Sequence, residues 1–125
     1  MMFAFLLACT RDPSAPPTVN YDLDACTDCG MLVSDPAYAA ALVTKDGKTL
    51  VFDDPGCLFH YMVTQAPAVS AMWFHDAADD RWLREDAVAF DPTGHSPMGS
   101  GLRPVLAGTP GALTVGEASS KAVSP

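Results

Sequence analysis

YAAALVTKDGKTLVFDDPGCLFHYMVTQAPAVSAMWFH, residues 38–75, is the stretch on which the fold turns. Its opening, Tyr38 to Thr44, is apolar and reads as a strand. Lys45-Asp46-Gly47-Lys48 follows, with the Asp-Gly pair that a tight hairpin turn favours because its central residues need positive φ. Thr49 to Phe52 then returns as a second strand. Asp53-Asp54-Pro55 reads as a helix start. An Asp before the first turn accepts a free N–H, and Pro at the first helical position lacks an N–H the helix would not use. Paired carboxylates also suit acid–base chemistry, but the cap is the simpler role. The spacing predicts a helix over 55–65, with Leu58, Tyr61 and Met62 on one face. Ala66-Pro67 stops it. Ala71 to His75 is the third strand.

Outward from this block the signals are shorter. Asp76 to Asp80 is a polar turn, Trp82-Leu83 a short strand, and Ala87 to Phe90 another. Thr93 to Gly101 is loop, and Leu102 to Leu106 pairs briefly. Strand–strand–helix–strand order predicts an α+β domain with a small, mostly antiparallel sheet and one main helix. Upstream, residues 21–36 hold two cysteines, a Gly and a Pro without clear period, and read as a structured loop. Residues 1–20 read as a shortened lipoprotein signal and tether, 21–108 as the domain, and 109–125 as a flexible tail of Gly, Ala, Ser and Pro.

At the N-terminus, Leu6-Leu7-Ala8-Cys9 has the pattern of a bacterial lipobox, which makes Cys9 the expected lipidation site. The apolar run is short and lacks a basic segment before it, which points to a true start further upstream. The expected location is the bacterial periplasm, with the chain held to a membrane through lipid on Cys9. A net charge of −8 with only seven Lys and Arg excludes nucleic acid as a partner. That acidity could draw a basic partner or a cation, or simply keep the protein soluble.

With Cys9 lipidated, Cys26, Cys29 and Cys57 remain, an odd number for a disulfide framework. Cys26-Thr27-Asp28-Cys29-Gly30-Met31 puts two thiols three residues apart with a thioether beside them. Thiolate plus thioether is a soft donor set that prefers Cu(I). Zinc would want a second Cys or His pair at ligand spacing, and His60, His75 and His95 are scattered. Thioredoxin-like redox chemistry needs the Cys pair opening a helix after a buried strand, and no strong strand precedes Cys26. A structural disulfide or zinc site, and a thiol–disulfide oxidoreductase, are the alternatives.

Met98, in Ser96-Pro97-Met98-Gly99, sits on a loop rather than on a helix face and could bring a second thioether. The competing role is to plug a local gap. Cys57, on the first helical turn, is either a further thiolate ligand or a small buried hydrophobe. His95, three residues before Met98, could supply a nitrogen. His75 ends an apolar strand and is expected to be capped or solvated, and His60 to be exposed. Met62, Met72, Trp73, Phe74 and Trp82 read as core.

CTDCGM, the AYAAALVTKDGKTLVFDDPGCLFHYM block and SPMG together resemble the NosL-type copper chaperones of nitrous oxide reductase maturation, over about residues 21–106. The resemblance implies an exported lipoprotein that binds one Cu(I) and is not itself an enzyme. Its recipient would be nitrous oxide reductase or another periplasmic cuproenzyme, reached with a membrane ABC-type assembly complex. It also implies ββαβ units resembling part of organomercurial lyase. The first unit agrees with the strand order read above. The other lacks a clear helix of its own and is expected to be degenerate. Carried over by motif, Cys29, Met31 and Met98 are the leading copper ligands, with Cys26, Cys57 and His95 behind them.

Overall fold

A computed structural model describes residues 14–124, so the lipobox and Cys9 lie outside the described residues. The elements run β1 (Ala40–Thr44), β2 (Thr49–Phe52), α1 (Pro55–Gln65), β3 (Val69–Asp76), β4 (Arg81–Arg84), β5 (Val88–Asp91), β6 (Arg103–Leu106) and α2 (Val115–Val123). Strands β2-β1-β3-β4 form one antiparallel sheet and β5-β6 a second. The α+β class with a small sheet and one main helix is therefore as expected.

The hairpin between β1 and β2 turns at Gly47, whose φ is 88°, the left-handed region that glycine enters at no steric cost. The register pairs Ala40 with Phe52 and Leu42 with Leu50. Because successive side chains alternate, Ala40 and Leu42 face the main core, while Ala41 and Val43 join Ala71 and Trp73 on the other face. Both faces are covered, which explains why β1 reads as a continuous apolar run.

Helix α1 occupies the predicted residues. Asp54 is its cap, accepting from the Gly56 N–H at 2.8 Å, and Ala66 ends it in the left-handed conformation. Leu58 and Phe59 bury against Phe52, Phe74 and Phe90. Phe74 of the large sheet meets Phe90 of the small one edge-on, with ring centroids 4.9 Å apart. Such pairs contribute about 0.5–1.5 kcal/mol beyond their buried area, and this one joins the two sheets.

Two expectations need correction. The tail beyond residue 109 is not a flexible extension, because α2 forms within it and packs against α1 with Ala118 fully buried. A second helix therefore exists, and β5-β6-α2 forms a strand–strand–helix unit with no further strand after it among the described residues. Thr114 and Glu117 make a reciprocal capping box, which holds a sequence of weak helix formers in place. The body of the domain also reaches back before Tyr21, since Pro17 is buried. No helix among the described residues is long and apolar enough to cross a membrane.

Candidate metal centre

Three segments meet at the N-terminus of α1. The first is the turn carrying Cys26 and Cys29. Ala25 bridges Leu32, the Cys26 N–H donates to the Met31 carbonyl at 2.7 Å, and the Gly30 N–H donates to the Cys26 carbonyl at 3.0 Å. Gly30, at φ 79°, supplies the left-handed step that closes this turn. The Thr27 N–H donates to the Val51 carbonyl at 2.8 Å and pins the turn to β2. The second segment is the end of β2, where Asp53 follows Phe52. The third is the first turn of α1, which carries Cys57.

The result is a cluster. Donor atoms of Cys26, Cys29, Asp53 and Cys57 all lie within 4.8 Å of one another. All three cysteines are free thiols. Cys26 and Cys57 are buried and Cys29 is half-buried. Asp53 is 1% exposed. One of its oxygens accepts from the Cys29 thiol at 3.3 Å. The other, Oδ2, is buried with no hydrogen-bond partner among the described residues. A buried carboxylate oxygen with nothing to accept from is costly, and a bound cation would satisfy it.

The thiols do not ionise alike. Cys26 is lowered to about 6, first because the Cys57 thiol donates to its sulfur, against the cost of burial, and further by the N–H groups of Cys29, Asp53 and Asp28. Cys57, which keeps its proton to donate that hydrogen bond to Cys26 and is also buried, is pushed well above the ordinary cysteine range. Cys29 is raised to about 11 by burial and by its sulfur and carboxylate neighbours, although the Met31 N–H opposes this. At neutral pH the resting cluster therefore holds one thiolate, Cys26, and two thiols that a cation must deprotonate on binding.

Beside the cluster runs an open groove of about 360 Å³, lined among others by Cys57, Met98, His60, Asp28 and Lys121. Met98 is brought there by Asp54. This fully buried carboxylate accepts from the Met98 N–H at 3.0 Å and from the Ser100 hydroxyl, besides capping α1. Gly56 permits the close approach, since a Cβ there would stand 2.7 Å from the Ser100 Cβ. Tyr38 holds the other side of the loop, its hydroxyl accepting from the His95 N–H at 2.9 Å.

Of the six expected ligands, Cys26, Cys29 and Cys57 come together, and Met98 lies 50% exposed on the groove into which Cys57 opens. Met31 is 58% exposed on the cysteine turn, and neither it nor His95 lines the groove. His75 is buried, not solvated, with one ring nitrogen on the Pro36 carbonyl and the other on Asp80. His60 is exposed and paired with Asp28 at 2.9 Å.

Asp53 was not expected in the cluster. The signal was there, since one Asp suffices for a cap and the sequence spends two beside a cysteine. Lys121 was missed with α2 itself.

No protein-family model, no curated protein and no solved structure matches this chain. Fold and site by themselves define an α+β domain with a Cys3Asp cluster that could hold a metal ion.

Proposed function

We propose that this protein is an exported Cu(I) chaperone that carries one ion to a periplasmic cuproenzyme, with nitrous oxide reductase as the expected client. One observation carries the reading: three free thiols converge, and one of them, Cys57, lines a solvent-open groove that also presents a loop methionine. Sulfur donors in low coordination number suit a soft monovalent ion. Cys26, Cys29 and Cys57 supply thiolates once the ion has displaced their remaining protons, half-buried Cys29 being the most accessible of them, and Met98 and Met31 supply thioethers that need no deprotonation.

Delivery requires release as well as binding. An ion held by two or three sulfurs beside an open groove can accept an incoming ligand before an old one leaves, so no bare ion forms. Met98, half exposed on a loop tip, is the donor best suited to detach first. The acidic surface, net −8, suits a recipient with a basic docking face.

The test is anaerobic titration of the reduced protein with Cu(I) in competition with a chromophoric Cu(I) chelator. The expected result is one ion per chain, with weaker binding in Met98→Leu and loss in Cys29→Ser. A protein that leaves all the copper with a weak chelator while its thiols are reduced is not a copper carrier.

A further inference from the structure

The geometry points to a second metal-binding mode of this cluster: a four-donor S3O site for a tetrahedral divalent ion such as Zn(II), made by Cys26, Cys29, Cys57 and Asp53. It rests on reading the cluster as a metal centre, but not on copper delivery. A zinc ion with sulfur ligands at about 2.3 Å sets its donors about 3.8 Å apart. The four donor atoms already lie within 4.8 Å of one another, so closure requires movements of about 1 Å or less. The donors come from three segments, in the pattern 26–29 and 53–57. The second pair that a zinc site needs is thus an Asp and a Cys four residues apart, straddling the β2–α1 junction.

Asp53 is the independent observation. Cu(I) has little use for a carboxylate, whereas zinc accepts one readily. Yet Asp53 is 1% exposed, its Oδ1 touches the Cys29 thiol, and its Oδ2 has no partner among the described residues. Charge points the same way. Three thiolates and a carboxylate bring −4, of which a divalent ion cancels two and a monovalent ion one. Buried excess charge is costly, so the full donor set favours the divalent ion. Cu(I) would use the sulfurs and leave Asp53 out. Both modes need the same thiolates and exclude each other, so a divalent ion can occupy the resting cluster until Cu(I) displaces it.

The experiment titrates the reduced full chain, freed of metal, anaerobically with Co(II) and then Zn(II). Expected are one Co(II) per chain, intense visible bands of a tetrahedral ion, sulfur-to-cobalt charge transfer of three thiolates, and bleaching by Zn(II). Asp53→Asn, which keeps the side-chain volume, should weaken Co(II) binding about 10- to 100-fold, a range seen even for groups that only support a ligand, and leave Cu(I) affinity nearly unchanged. Met98→Leu should do the reverse. A pale octahedral spectrum in the native chain overturns the proposal whatever the variants do. So does an Asp53→Asn chain that binds Co(II) like the parent. Cobalt binding without Cu(I) binding would sink the chaperone reading and leave this one standing; Cu(I) binding without a tetrahedral cobalt site would do the opposite.

Discussion

At the scale of single residues, the cluster's acid–base behaviour is set by who donates to whom. Folding lowers Cys26 to about 6, below the ordinary cysteine value of about 8.5. Its donors therefore stabilise the fold fully above that ordinary value, and the contribution fades as the pH falls through about 6. Cys29, raised to about 11, has the opposite sign: its contribution is complete below the ordinary value and is lost as the pH rises through about 11. Thiolate absorbance of the reduced, metal-free chain should thus show one thiolate at neutral pH that disappears near pH 6. Cys57→Ala removes the leading donor and should move that midpoint upward. A parent chain with no thiolate signal between about pH 6 and 8 would refute the assignment.

Asp54, one residue from the cluster, tests a different quantity. Its carboxylate accepts from Gly56, Met98 and Ser100 and is fully buried. Asp54→Ala strips the helix cap and leaves the Met98 N–H and Ser100 hydroxyl without their buried acceptor. Hydrogen bonds to a charged group contribute about 1.5–3 kcal/mol each, and a lost cap about 1. A loss of about 4 kcal/mol or more in urea denaturation is expected, with a drop in Cu(I) affinity as the methionine loop comes loose. Unchanged copper affinity in a folded Asp54→Ala chain would mean that the loop position is irrelevant to binding.

At the scale of elements, legibility followed the strength of local signals. Helix α1 was readable because an Asp cap, Pro55 at its first position and the Ala66-Pro67 stop bracket it. Strand β1 was readable because Asp46-Gly47 fixes the hairpin turn. Helix α2 was not, since VGEASSKAV has only a thin apolar stripe and resembles linker. Its one decisive mark was the Thr114–Glu117 spacing, which a composition argument passes over. Asp53 was hidden for another reason: its partner sulfurs are 24 to 27 residues upstream or on the first turn of α1, and they are joined by tertiary contacts such as the docking of Thr27 onto β2 and the pairing of Asp28 with His60. The cysteine spacing alone told which residue types could meet, not that a carboxylate would meet them. The capping box gives α2 its own prediction. Thr114→Ala should cost about 1 kcal/mol and raise amide exchange across 115–123. Because Lys121 and Ala122 line the groove, fraying should open the groove wall as well. Exchange unchanged in that helix would show that packing on α1, not the cap, maintains it.

For the whole molecule, metal and fold are one equilibrium. The cluster joins the 26–29 turn, the end of β2 and the start of α1, three segments that the unfolded chain scatters. An ion that binds only the assembled site stabilises the fold by RT ln(1 + [L]/Kd), about 2.7 kcal/mol when free ligand is 100 times Kd. For a domain of about 100 residues each kcal/mol moves Tm by about 4–8 °C, so saturation with Cu(I) should raise Tm by roughly 10–20 °C. Part of that gain is pH-dependent, because binding must drive protons from Cys29 and Cys57, and it should shrink as the solution is made acidic. The same melt separates roles that affinity alone confounds. Cys57→Ser removes the one sulfur that α1 contributes to the cluster and should abolish most of the shift. Met98→Leu removes a donor on a loop that Asp54 already fastens, and should reduce it only in proportion to its lower affinity. A copper-saturated chain that melts where the metal-free chain does would mean that the ion sits on a site formed equally well by the unfolded polypeptide, and the convergence of the three segments would then have no part in binding.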